Sequence, residues 1–556
     1  MEFFRQVLFL AVLAIVLTVH GVFGRGVGYW KLVVMEQNSS VAKGASSLYL
    51  ASIVTLLSGM VYFVILTNYF RSTLLVGVVT ALNILIWFLV LFCVLATPIA
   101  NQNAIPAPLA VLKFIPEFLV KNDRSGAGKV LKASLSIALV FSLVIAIILY
   151  FTTPLIIHLL GESSVLPVFV HLAAVDVIAV SVGSVGLAAV IALGEAAAGA
   201  RYIWLWAITR YALASVLMVP LGVVGVLVGW ILGDLSLVFL SLRSCFRDLG
   251  SPTVSVGAFP AKRFLSYNAY SLGAALMGFA MNQADRIFTL TTQGISPLAV
   301  YNVAIVATSI AGSASYALVT VMLPAVAALF AAKRLEELRQ LIHSNTRYLS
   351  ILVMPISFGL AAVVQIPLRI FGAAYVSGTL PAVIVCVASG LTAVSAIYAS
   401  ALLAMGRMRW FTAANLLGLC GFFVLTWYLT PLLGLSGPAV GRFALMAITT
   451  TIYGLVAFLA GFFEFDLRAY LVSIACSTGM AIPIYIVVSF IHAFYLQLAA
   501  LPFLIILGLL IYLGLLRASH LLSQDDLNFI RTIVPTRFRR CIPILARIIG
   551  LRDYTL

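Results

Sequence analysis

Long apolar runs separated by short polar segments dominate the chain, and their length decides what they form. A helix needs about 20 mostly apolar residues to cross a bilayer. On that scale the runs at 45–69, 73–97, 132–152, 166–193, 202–221, 223–243, 264–287, 298–323, 348–368, 380–405, 409–431, 436–461, 468–491 and 497–516 predict fourteen membrane helices. An outer-membrane barrel would show segments of about ten alternating residues, whereas these runs are unbroken. Two amphipathic, basic stretches, 109–123 and 331–347, predict helices lying in the membrane interface. A fifteenth apolar run, 7–23, precedes the others. It is short, contains His20, and is followed by Arg25, Lys31 and Lys43. A cleaved signal peptide would put those charges outside, against the positive-inside rule. Two readings stay open: an extra N-terminal helix, or a leader 1–34 upstream of a start at Met35.

The polar positions set the orientation. Lysines and arginines crowd the loops after even-numbered spans: Lys113, Lys121, Arg124, Lys129 and Lys132 after the second, Arg201 after the fourth, Arg243, Arg247, Lys262 and Arg263 after the sixth. The pattern continues with Lys333, Arg334, Arg339 and Arg347, then Arg407 and Arg409, then Arg468 beside Glu464 and Asp466, and finally the arginine-rich tail 517–556. Loops after odd-numbered spans carry almost no charge: Arg71, Glu162 and Arg369, with the histidines His158 and His492. Positively charged loops stay in the cytoplasm. A multi-pass protein of the cell membrane with a cytoplasmic C-terminus is therefore expected. The sequon Asn38-Ser39-Ser40 falls on the cytoplasmic side of that arrangement and reads as a chance match.

Composition agrees. Of 556 residues, 63% are hydrophobic and 9% charged, and the mean hydropathy is +1.16. A soluble domain is about 45–50% apolar and about 25% charged, so a soluble enzyme and a disordered chain are both excluded. The formal net charge of +16 suggests anionic lipid headgroups as partners and not nucleic acid, because it sits in membrane-flanking loops. The six cysteines are scattered without a C-x-x-C, the six histidines lack metal-ligand spacing, and no P-loop occurs. No catalytic set, metal or cofactor is expected.

An internal repeat organises the chain. Gly222, Gly225 and Gly229 recur as Gly434, Gly437 and Gly441, each 212 residues on, and Gly194 recurs as Gly406 at the same offset. Pro220 and Pro431, Leu166-Pro167 and Leu380-Pro381, and Pro154 and Pro367 follow within two residues of it. Each half holds six spans, an even number, so both halves start on the same side and form a parallel repeat. The expected fold is all-α: a six-helix lobe at 35–250, a second at 251–466, two further helices at 467–516 and a basic tail at 517–556. The glycines read as helix-packing positions.

Charges inside membrane helices cost roughly 2.5–3.5 kcal/mol on insertion scales, so each is a candidate for function. Arg210, Asp176, Asp234 and Arg442 are such charges. Asn282, Gln283, Asp285 and Arg286 cluster in the seventh span, with Tyr301 and Asn302 opening the eighth. Guanidinium pairs bidentately with phosphate oxygens, so a cationic lumen suits a phosphate-bearing substrate. The competing reading is structural: Arg210 neutralised by Asp176 or Asp234, and Asp285 by a nearby arginine.

The opening Lys43-Gly44-Ala45-Ser46-Ser47-Leu48-Tyr49-Leu50, the stretch Asn282-Gln283-Ala284-Asp285-Arg286-Ile287-Phe288 and the stretch Ala299-Val300-Tyr301-Asn302-Val303-Ala304, on a fourteen-span frame, resemble Wzx-type polysaccharide flippases. These belong to the multidrug/oligosaccharidyl-lipid/polysaccharide exporter superfamily. The resemblance covers roughly 35–556. It implies translocation of a lipid-linked (pyro)phosphate oligosaccharide by alternating access, no enzymatic activity, and glycan-assembly enzymes as partners. It points to Arg210, Arg286 and Arg442 for the phosphate and to Asn282, Gln283 and Asn302 for sugar hydroxyls, with Asp285 among them. The alternative is a cation-coupled multidrug antiporter of the same superfamily; such antiporters commonly carry an acidic residue in the first helix, and span 45–69 has none. A membrane glycosyltransferase would want acidic residues on a large external loop, and the expected external loops are short and nearly uncharged.

Overall fold

The computed structural model describes residues 39–94, 108–160, 165–249 and 261–521. The run 7–23, the loop carrying Glu162 and most of the basic tail lie outside them. Among the described residues the chain is helical throughout. The helices are α1 (Ser39–Phe70), α2 (Thr73–Val94), α3 (Leu109–Val120), α4 (Arg124–Leu160), α5 (Pro167–Ala192), α6 (Ala196–Leu221), α7 (Val223–Leu249), α8 (Ala261–Gln293) and α9 (Ile295–Ala331). They continue with α10 (Leu335–Val363), α11 (Gln365–Phe371), a 3-10 turn (Ala373–Gly378), α12 (Thr379–Leu391), α13 (Ser395–Ala404), α14 (Met408–Leu433), α15 (Ser436–Leu459), α16 (Leu467–Phe490) and α17 (Phe494–Ala518).

Every expected span coincides with one or two helices, and thirteen segments are long and apolar enough to cross a membrane. The expected span that falls short of that measure is α8, 33 residues long. Its Asn268, Gln283, Asp285, Arg286 and Thr289 lower its hydropathy, and all five are buried in the protein. A helix whose polar stripe faces other helices needs no lipid-like surface on that side. The outer face of α4 does: Val140, Phe141, Ile147, Ile148 and Phe151 are exposed, and in a protein this apolar only lipid covers such a face.

Two elements differ from expectation. The stretch 331–347 forms no separate interfacial helix; α10 runs unbroken from Leu335 to Val363 and carries it straight into the ninth span. By contrast 109–123 forms the separate helix α3, with Ala110, Val111, Phe114 and Ile115 buried. The tenth span is broken into α12 and α13. The Thr392 hydroxyl bonds the Ala388 carbonyl (2.6 Å) at the break, a local bond that competes with the helical ladder. The Leu391 carbonyl is taken by the Tyr470 hydroxyl of α16 at 2.7 Å. Broken helices persist in membranes only where such partners exist.

The repeat is visible in the backbone. Gly222 (φ 60°) and Gly434 (φ 55°) make matching left-handed turns between α6 and α7 and between α14 and α15, as do Gly194 (φ 89°) and Gly406 (φ 72°) after α5 and α13. A non-glycine residue is strained there. A methyl group at Gly225 would run into the Leu217 carbonyl, and one at Gly437 would lie 2.6 Å from Thr430 Cα. Both hairpins therefore close on the same glycine step.

The loops sort onto two faces as the charge pattern requires. On the basic face Arg247 meets Glu195 (3.3 Å), Arg263 meets Glu117 (3.1 Å) and Arg347 meets Asp466 (3.2 Å). On the opposite face Asn68 donates to the Ile370 carbonyl (2.8 Å), Tyr69 to that of Val219 (3.0 Å) and Gln293 to that of Gly434 (3.2 Å). A miscounted span would have mixed these sets.

Candidate functional site

A cavity opens between the two groups of helices. Its first wall comes from α1, α2, α6 and α7: Tyr62, Asn83, Trp87, Arg210, Tyr211 and Trp230. The second comes from α8 and α9: Gln283, Arg286, Asn302, Val306 and Ser309. No Asp or Glu is among the lining residues.

Close helix packing builds the first wall. Gly229 and Gly233 of α7 lie against the backbone of Ala214 and Arg210 of α6, where a Cβ would clash. That approach brings Asp234 onto Arg210. The guanidinium donates through Nη1 to Asp234 Oδ2 and through Nη2 to Asp176 Oδ2 of α5 (3.4 Å). The Trp206 indole N–H donates to the other Asp234 oxygen. Arg210 also lies over Trp230 (4.9 Å), Trp87 and Trp206 (both 5.8 Å), a cation–π setting. Arg210, Asp176 and Asp234 are all buried, so the ion pairing weighed from the sequence is what forms.

On the second wall, Arg442 of α15 donates to Asp285 Oδ2 at 2.7 Å. The Tyr301 hydroxyl donates to the same oxygen at 3.0 Å, and Arg286 Nη1 to Gln283 Oε1 at 2.6 Å. Asn282 turns back to the Gly278 carbonyl of its own helix (2.9 Å). The group holds two guanidiniums against one carboxylate.

Of the seven residues singled out from the sequence, Arg210, Gln283, Arg286 and Asn302 line the cavity together. Asp285 and Arg442 sit beside it as a buried pair, and Asn282 is outside its lining. Tyr62, Asn83, Trp87, Tyr211 and Trp230 were not legible. Aromatic residues in apolar runs read as core. Asn83 alone carried a signal, as the one amide in Thr73–Val94.

The fold is that of lipid flippases and multidrug exporters. The lipid II flippase MurJ in an inward closed conformation superposes with a TM-score of 0.67 at 12% identity, over 86% of this chain and 99% of that one. A point mutant of the Vibrio cholerae MATE transporter VcmN gives 0.56 at 15% over 77% and 100%. A MOP superfamily transporter from Pyrococcus furiosus gives 0.53 at 15% over 77% and 95%. No curated protein sequence matches the chain. Residues 117–378 match the family model described as polysaccharide biosynthesis protein. Family match and fold both agree with the resemblance to Wzx-type polysaccharide flippases: this is a multi-pass, all-helical membrane protein with the fold these transporters share.

Proposed function

We propose that the protein carries the glycan and (pyro)phosphate headgroup of a lipid-linked oligosaccharide across the cell membrane through this cavity, while the lipid tail stays in the bilayer. One observation carries the reading: the lining contains two arginines and no carboxylate. Arg210 is held by two carboxylates and Arg442 by Asp285, so the positive field facing the substrate comes from Arg286 on the second wall. Guanidinium there suits phosphate oxygens. Gln283 and Asn302 beside Arg286 offer amides to sugar hydroxyls.

In this reading the lobes 35–250 and 251–466 rock against each other about the site. The basic face is cytoplasmic, its lysines and arginines meet anionic headgroups, and glycan-assembly enzymes deliver the substrate there. The antiporter alternative is disfavoured by the same lining, because an organic cation would meet arginine and no carboxylate; helix α1 carries no Asp or Glu either. The test is transport of a fluorescent lipid-linked oligosaccharide in proteoliposomes. Arg286→Gln removes the charge and the planar fork while keeping a hydrogen-bonding amide, and it should abolish most transport without loss of folded protein. Full transport by a well-folded Arg286→Gln variant would remove the phosphate contact from the site.

A further inference from the structure

Three polar groups on the first wall are left over by the arrangement above. The Tyr62 hydroxyl, Asn83 Oδ1 and Trp230 Nε1 are buried and have no hydrogen-bond partner among the described residues. Tyr62 and Trp230 are each only 2% exposed. The hydroxyl and the indole N–H lie close together, yet outside hydrogen-bonding geometry. All three residues line the cavity, opposite Arg286. Buried polar groups are normally satisfied, so unsatisfied ones facing a cavity point to a ligand that satisfies them.

We propose that Tyr62, Asn83 and Trp230 form the sugar-reading wall of the cavity, so that the substrate lies with its glycan against α1, α2 and α7 and its phosphate against α8. The inference rests on the transport reading above and adds the orientation and the residues that set it. The chemistry of the three groups makes the assignment. Trp230 Nε1 only donates, Asn83 Oδ1 only accepts, and the Tyr62 hydroxyl does both. A sugar hydroxyl both donates and accepts and can meet all three. A phosphate only accepts, so Asn83 Oδ1 would repel it. An apolar ligand would leave every one of them unpaired.

The test measures binding to the purified full chain in lipid nanodiscs. The probes are short-chain prenyl diphosphates carrying one glucose, galactose or N-acetylglucosamine, and the same prenyl diphosphate without sugar. The wild type should hold at least one glycosylated probe more tightly than the bare one. Tyr62→Phe, Asn83→Leu and Trp230→Phe should each weaken that probe by roughly threefold to tenfold, the worth of one neutral hydrogen bond, and leave the bare diphosphate unchanged. Arg286→Gln should weaken both. Thermal melting of each variant separates lost folding from lost binding. A sugar preference kept in all three variants overturns the inference. Equal wild-type affinity for bare and glycosylated probes overturns it too, while sparing the anion site. Wild-type failure to bind any diphosphate overturns the transport reading itself.

Discussion

At the scale of single residues, buried charge decides which arginines hold the molecule together. Arg210 with Asp234 and Asp176, and Arg442 with Asp285, are pairs with little solvent around them. Removing one partner of a buried pair costs about 3–5 kcal/mol, because a charge remains without compensation. Arg442→Gln should therefore lower thermal stability sharply, and Asp285→Asn in the same chain should restore much of it. Arg210→Gln should behave likewise with Asp234→Asn. A double-mutant cycle on melting temperature checks both. Additive losses, with no recovery in the double variants, would mean that the pairs are not coupled.

At the scale of helices, contact distance is set by glycine. Gly225→Ala and Gly437→Ala should each destabilise the protein, since the added carbon meets backbone of the facing helix in both hairpins. Gly273→Ala meets nothing within 4 Å, and in a helix alanine is preferred over glycine by roughly 1 kcal/mol; that variant should be neutral or stabilised. Thermal melting of the three in one detergent gives the ranking. At the basic face, α3 is tied to α8 through Glu117 and Arg263 and through Lys113 over the Tyr267 ring (4.1 Å). Partial burial would raise the Glu117 carboxyl, but Arg263 and Lys121 outweigh it and hold it below its ordinary value. A lowered carboxylate favours the folded contact above the unfolded value of about 4.3 and loses it as pH falls through the folded value. Coupling between Glu117→Gln and Arg263→Gln should thus be present at pH 7, shrink below about pH 4, and weaken in salt.

At the scale of the whole molecule, the two faces must move in opposite phase if the cavity is to open to each side in turn. Asn68 of α1 touches Ile370 of α11 on the face opposite the basic one. Cysteines at 68 and 370, in a background lacking the native cysteines, should form a disulfide that stops transport until a reductant is added. Unchanged transport in the cross-linked protein would argue against opening at that face. In the same background a cysteine at 434 should react with an impermeant reagent from outside, and cysteines at 124, 263 and 334 should not. Labelling at 263 from outside would invert the assigned orientation.

Helix number and the two-faced order of the loops were readable along the chain because both follow from local quantities. Run length sets whether a segment spans, and lysine and arginine placement sets which loops share a face. The repeat was readable because a left-handed turn at 222 and 434 and a close approach at 225 and 437 each demand glycine. The break in the tenth span was not, since it depends on Tyr470 from a helix almost 80 positions away in the chain. The unbroken α10 was not either, because an amphipathic stretch and a membrane span share the same helical period. At the site, charge in an apolar run marked Arg210, Arg286, Arg442 and Asp285, but pairing is a matter of tertiary distance. Packing alone made Arg442 a partner of Asp285, left Arg286 on the cavity wall, and turned Tyr62 and Trp230 from apparent core into lining.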